Sequence, residues 1–107
     1  MIDEKFRKAL REYADEMGWG GDEPQPVIFD NASYDGSVVG ITESGSVVYD
    51  YDSMVEEYMA DNGCTYEEAV EWIDYNTIRA LPYASSVGIA PTILGMSKKG
   101  LLERYGD

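Results

Sequence analysis

The chain has 107 residues, carries 21 carboxylates against eight Lys and Arg with no His, and has a formal net charge of −13. That length suits one domain over residues 1–107 that buries about two-thirds of its unfolded surface, and an apolar content of 44% argues against charge-driven disorder. The charge argues against nucleic acid or anionic membrane as direct partners; a single Cys64 and the missing His leave no internal disulfide and no usual zinc set.

Phe6, Leu10, Tyr13 and Met17 recur at intervals of three or four, which predicts an amphipathic helix from Asp3 to Met17 closed by Gly18. Its bases Lys5, Arg7, Lys8 and Arg11 lie toward the start, where the macrodipole favours Asp3 and Glu4 instead. Gly18 to Pro26 reads as a loop. The β-branched and aromatic runs Val27–Asp30, Val38–Glu43 and Val47–Tyr51 predict a three-stranded antiparallel meander. In its second hairpin, a three-residue loop opposing Glu43 and Val47 puts Val39 and Ile41 on one face with Val47, Tyr49 and Tyr51, and leaves Val48, Asp50 and Asp52 on the other. A two-residue loop would mix Asp50 with the apolar set.

With Asp52 or Ser53 as N-cap, Met54, Val55, Tyr58 and Met59 predict a short helix ending at Asn62-Gly63. Thr65-Tyr66-Glu67-Glu68 is a capping box that opens a further helix, with Ala69, Trp72, Ile73, Asn76 and Ala80 facing inward and Pro82 limiting its length. Pro91–Leu94 suits an edge strand, and Ser97–Tyr105 at most a short helix. The expected fold is therefore α+β, with a three- or four-stranded antiparallel sheet, an N-terminal helix and a central pair of helices. No run approaches the roughly 18 apolar residues of a spanning helix, and the start of the chain lacks a basic segment followed by an apolar core, so a cytoplasmic protein is expected.

The charge is distributed unevenly. From Glu12 to Ile78 there are 17 carboxylates and no base, and Arg79 is the single base between Glu12 and Ser97. Such a field draws in basic surfaces, and salt or mild acidification is expected to stabilise the domain by relieving repulsion. The candidate partner-binding residues are Asp50, Asp52, Glu56, Glu57, Glu67, Glu68, Glu71 and Asp74. On a strand, Asp50 and Asp52 would project to one side about 6.6 Å apart; on a helix, Glu67, Glu71 and Asp74 would be spaced about 5–6 Å apart. These separations resemble those of successive phosphates on a nucleic-acid strand, so a rigid display of them suits a Lys/Arg groove built for nucleic acid. Arg79, one turn after Tyr75 and late in its helix, suits a structural tie to carboxylates or carbonyls.

Catalysis is not expected. The paired acids lack any feature that would separate their pKa values, Cys64 has no His partner, and no phosphate-cradling Gly-Lys-Ser/Thr loop occurs. Neither Asp30–Glu43 nor Asp50–Glu57 fits the twelve-residue Ca²⁺ loop, so no metal or other cofactor is expected.

Val48-Tyr49-Asp50-Tyr51-Asp52-Ser53-Met54 and the segment from Glu67 to Tyr83, most specifically Tyr75-Asn76-Thr77-Ile78-Arg79-Ala80-Leu81-Pro82-Tyr83, resemble a family of small uncharacterised phage and prophage proteins. The resemblance covers about the C-terminal half and implies a phage context, but no catalytic residues. Within that context the nearest functional analogy is to acidic anti-CRISPR and other DNA-mimicking proteins. The expected function is inhibition of a basic protein surface, such as that of a CRISPR effector subunit or another DNA-binding protein. The alternative is a phage housekeeping or assembly protein that forms a homodimer or larger homo-oligomer through a Tyr-rich face; a small metal-dependent enzyme ranks third.

Overall fold

A computed structural model describes residues 3–19, 24–29 and 31–106. Helix α1 spans Glu4–Glu16, and its N-cap Asp3 accepts a hydrogen bond from the Phe6 N–H at 2.9 Å. Ala14 is buried, and Phe6 and Leu10 pack against the core. Part of the loop expected over Gly18–Pro26, residues 20–23, lies outside the described residues.

The expected first strand does not form. Asp30 lies outside the described residues, and Val27–Phe29 are irregular, with Pro26 in an isolated parallel bridge to Ile89. The cause is the next segment, expected to be a hairpin loop. Asn31 accepts the Ser33 N–H at 3.1 Å and starts a 3-10 turn over Ala32–Ser37 that buries Tyr34, Asp35 and Ser37. With this turn in the interior, Phe29 becomes a packing residue: its ring lies 6.0 Å from Tyr34 and 4.6 Å from Tyr49, and its N–H donates to the Tyr49 hydroxyl at 3.1 Å.

Strands β1 (Val38–Ile41) and β2 (Val47–Asp50) form the antiparallel hairpin. Thr42 N–H donates to the Ser46 carbonyl, so the loop has the expected three residues but is shifted by one, to Glu43–Gly45. Gly45 supplies the turn at φ +93°, a conformation that disfavours other residues. Val47 and Tyr49 are buried, as the chosen parity requires, and Ile41 opposes Val47. A bulge between Val38 and Gly40 makes Val38 the partner of Tyr49 and turns Val39 out to 57% exposure.

The third strand, β3 (Thr92–Leu94), pairs with β2 on its other side and runs parallel to it, so the sheet is mixed, in the order β1-β2-β3. A parallel neighbour requires a long crossover. Helix α2 (Tyr51–Asn62), helix α3 (Tyr66–Trp72), a π-helical turn (Ile73–Thr77), a 3-10 turn (Ile78–Ala80) and helix α4 (Leu81–Val87) supply it. Helix α5 (Lys98–Tyr105) follows, capped by Ser97, whose hydroxyl accepts the Gly100 N–H. The protein is thus α+β, with the expected N-terminal helix and central helical pair.

The core is formed by Tyr34, Val47, Tyr49, Met54, Val55, Ala69 and Ile73. Burial pushes the Tyr49 phenol up to about 12, against the opposing effect of the Phe29 N–H. Next to this core the Arg7 guanidinium grips the fully buried Asp35 carboxylate: Nε to Oδ2 at 2.7 Å and Nη2 to Oδ1 at 3.0 Å, with the Asp3 N–H donating to Oδ2 at 3.0 Å. Burial alone would raise the Asp35 pKa, but the Arg7 hydrogen bonds and charge and the Asp3 amide outweigh it and hold the carboxyl below its ordinary value.

Because that value lies below the unfolded one of about 3.9, the stabilisation from Asp35 is complete above about pH 5 and is lost as pH falls through the unfolded and then the folded-state pKa. Arg7→Ala, which leaves the buried carboxylate unpaired, is expected to cost about 3–5 kcal/mol in urea denaturation. The stability difference between the wild type and Asp35→Asn should shrink as pH drops from 5 to 3. A difference that stays constant over that range would show that folding leaves the Asp35 pKa unshifted, and one that grows would show that the carboxyl is protonated in the folded protein.

Candidate functional site

The crossover that joins β2 to β3 carries seven of the eight candidate carboxylates, and the eighth, Asp50, is the last residue of β2. β2 ends at Asp50, so Asp52 is not two residues further along a strand, as expected, but in the first turn of α2. The chain turns into the helix earlier than the expected cap, with Asp50 at the N-cap position but making no side-chain cap bond. Asp50 is half-buried, and its Oδ1 has no hydrogen-bond partner among the described residues. Asp52 pairs with Arg104 of α5 at 3.3 Å. Neither acid is free to act as a phosphate substitute in the expected two-on-a-strand geometry.

Helix α2 buries Met54 and Val55 and ends at Gly63, whose φ of +61° is the left-handed cap expected of Asn62-Gly63. Its Glu56 is exposed, while Glu57 is half-buried, with Oε1 2.9 Å from where a Cβ on Gly36 would stand. The capping box at α3 is present: Thr65 Oγ1 accepts the Glu68 N–H at 3.2 Å, and Glu68 Oε1 accepts both the Thr65 N–H and its hydroxyl. Those Thr65 donors hold the Glu68 carboxyl below its ordinary value. Glu67, Glu71 and Asp74 are exposed along α3 and its π-helical continuation, and Asp74 accepts the Tyr51 hydroxyl at 2.8 Å. Burial and then the Asp74 carboxylate push the Tyr51 phenol up. The Tyr51–Asp74 bond ties the start of α2 to the end of the acidic run.

The π turn is the feature that the sequence pattern misses. The Ile78 N–H bonds back five residues to the Ile73 carbonyl, which widens the turn and advances the inward stripe by one position. Ala69 and Ile73 are buried as expected, but the next inward residue is Thr77. Asn76 is exposed and donates to the Trp72 carbonyl at 3.0 Å, and Ala80 is exposed. Pro82 does not end the helical path; it lies in the first turn of α4, where its missing N–H costs nothing. Trp72, expected in the core, is 42% exposed and stacks on Tyr58 with ring centroids 4.9 Å apart. Arg79 makes no ion pair among the described residues; its guanidinium lies 4.5 Å from the centre of the Tyr75 ring.

Tyr58, Cys64, Glu68, Trp72 and Tyr75 border an open cleft of about 460 Å³ between α2 and the α3–π segment. Among the described residues no three acids or Cys converge as metal ligands, and no helix is long and apolar enough to cross a membrane. No family model, curated protein or solved structure matches the chain.

Trp72→Ala is expected to cost about 1–2 kcal/mol, the loss of one stacked and half-covered ring. Ile73→Ala, in the closed core, should cost about 2–5 kcal/mol. Urea denaturation of the two variants checks the order. A larger loss for Trp72→Ala would place the indole, rather than Ile73, at the centre of packing.

Proposed function

We propose that the protein is a non-catalytic, cytoplasmic inhibitor that binds a basic protein surface and keeps nucleic acid from it, in the manner of an anti-CRISPR protein directed at a CRISPR effector complex. The observation that carries this reading is the state of the acids on the crossover. Glu56, Glu67 and Glu71 are exposed and, among the described residues, make no ion pair, and no base other than Arg79 occurs between Glu12 and Ser97 to neutralise them. They stand on short helices tied to the sheet at both ends, so the charge is displayed on a fixed frame, which a surface evolved to grip phosphates can bind through the same electrostatic attraction. The resemblance of Val48–Met54 and Glu67–Tyr83 to phage proteins adds a setting in which blocking a host defence complex is useful.

A second reading has its own support. Tyr83 and Val87 on α4 and Leu101, Leu102 and Tyr105 on α5 are all exposed, and neither helix has a buried residue. These side chains suit the interface of a phage assembly protein that forms a homo-oligomer.

The two readings separate in one competition experiment, in which labelled target DNA and the protein are offered to CRISPR effector complexes. The wild type should displace the DNA. Reversing Glu56, Glu67 and Glu71 together to Lys should abolish displacement with little change in melting temperature, because exposed charges contribute little to stability. Asp50 and Glu57, which are half-buried, and Asp52, Glu68 and Asp74, which bond to Arg104, Thr65 and Tyr51, are unsuitable for this test. Simultaneous binding of DNA and protein, or displacement that survives the reversals, would reject occupancy by charge. Dimerisation in sedimentation that is lost on Leu102→Asp, with no effect on DNA binding by any complex tested, would favour the assembly reading.

A further inference from the structure

The cleft between α2 and the α3–π segment combines two kinds of side chain that suit one ligand. Aromatic rings line the cleft: the stacked pair Tyr58 and Trp72, and Tyr75. Two carboxylates from the same helical segment as Trp72 and Tyr75 line it as well: Glu71, exposed and without an ion pair among the described residues, and Glu68, whose Oε1 is occupied by Thr65 while Oε2 has no partner among the described residues. An aromatic face attracts a cation through its quadrupole, and a nearby carboxylate adds charge-assisted hydrogen bonds. The cleft also lies on a π turn, an irregularity that is frequent at functional sites.

We propose that this cleft is an arginine-recognition site, which receives one guanidinium from the basic surface of a protein partner. The inference rests on the proposed function for its partner and adds to it a defined anchor point. Three observations select arginine. Tyr75 already carries a guanidinium, that of Arg79, 4.5 Å from its ring centre, although Arg79 is not among the residues that border the cleft. Tyr58 and Trp72 are in contact at 4.9 Å, which leaves no slot between them for an alkyl chain and offers ring faces and edges, on which a planar guanidinium can stack. Glu68 and Glu71, three residues apart on α3, lie on one face of the helix, where their oxygens suit the fork of a guanidinium better than the point charge of an ammonium. The bound arginine would sit over the aromatic faces with its donors directed at Glu71 and at Oε2 of Glu68. Such an anchor turns a diffuse attraction into a fixed register, since interface energy concentrates at desolvated Arg and aromatic residues.

The test needs no partner protein, so its outcome is separate from that of the DNA competition. A short uncharged peptide with one central Arg is titrated into the full chain, and the two indole N–H signals are followed by NMR, with Trp19 as the internal control. Matched peptides carry Lys or citrulline in place of Arg. The Arg peptide should shift the Trp72 signal and leave that of Trp19 unmoved, the Lys peptide should bind at least threefold more weakly, and the citrulline peptide should give no shift. Glu71→Gln should weaken the Arg peptide about threefold, consistent with removal of one exposed charge pair, and Tyr75→Leu should weaken it as well, while both variants keep the wild-type melting temperature. Equal response to Arg and Lys, any response to citrulline, shifts at Trp19 as large as at Trp72, or indifference to Glu71→Gln would each overturn the assignment. If the peptide result is negative while DNA displacement stands, the acidic surface acts without this anchor; if the peptide binds and displacement fails, the cleft recognises arginine but the inhibitor reading is wrong.

Discussion

The Arg7–Asp35 pair is the constraint from which the rest of the arrangement follows. Asp35 has no exposed side-chain surface, and a carboxylate taken out of water is tolerated only where its oxygens are satisfied. Arg7 supplies two donors and the Asp3 amide a third, so α1 is fixed to the 3-10 turn at its first two turns. The turn in turn is fixed to α2: the Ser37 hydroxyl donates to Ser53 at 3.0 Å, Ser33 donates to Asp61, and Tyr34 packs in the core with Met54 and Val55. One base among the few in the chain is thereby used to hold an acid inside, while most of the other described acids, with Asp50, Asp52 and Glu57 as half-buried exceptions, are exposed.

Topology explains why the acidic surface is held rather than loose. The helical run leaves the sheet at the end of β2 and returns to the strand beside it, so both of its ends are anchored on neighbouring strands. Ser46 reinforces the return, its hydroxyl bonding the Ala90 carbonyl at 2.7 Å and the Thr92 hydroxyl at 2.6 Å. Inside the run, the Thr65–Glu68 box fixes the start of α3 and Tyr51–Asp74 closes the far end. An anionic surface preorganised in this way does not have to be ordered when a partner arrives, which reduces the entropic cost of association.

Much of this was legible in the residues, and the failures have physical causes. Local signals held: Gly63 as a left-handed cap, the capping box, a three-residue hairpin loop with Val47 and Tyr49 inward, and half of the stripe of α1, where Phe6 and Leu10 pack on the core while Tyr13 and Met17 are exposed. Long-range pairing did not. Val27–Phe29 have strand composition, but the buried Asp35 needs Arg7, and forming that pair takes the following segment into the interior as a 3-10 turn. The parallel partner of β2 comes from Thr92–Leu94, more than forty residues away, a separation at which no local pattern reports direction. On the crossover, the environments of the acids were not legible either. Asp52 meets Arg104 only because α5 folds back, and the π turn has no composition that distinguishes Ile73–Thr77 from ordinary helix, so Asn76 and Ala80 read as inward by a period that the backbone does not keep.

The central claim is that exposed charge on the crossover, held in fixed geometry, drives association with a basic surface. Stopped-flow measurement of the association rate with an inhibited effector complex, over about 50 to 500 mM salt, tests it most directly. Steering by opposite fields predicts a fast rate at low salt that falls at least tenfold across the series, while dissociation changes much less. An association rate independent of salt would show that contacts other than these carboxylates bring the two surfaces together.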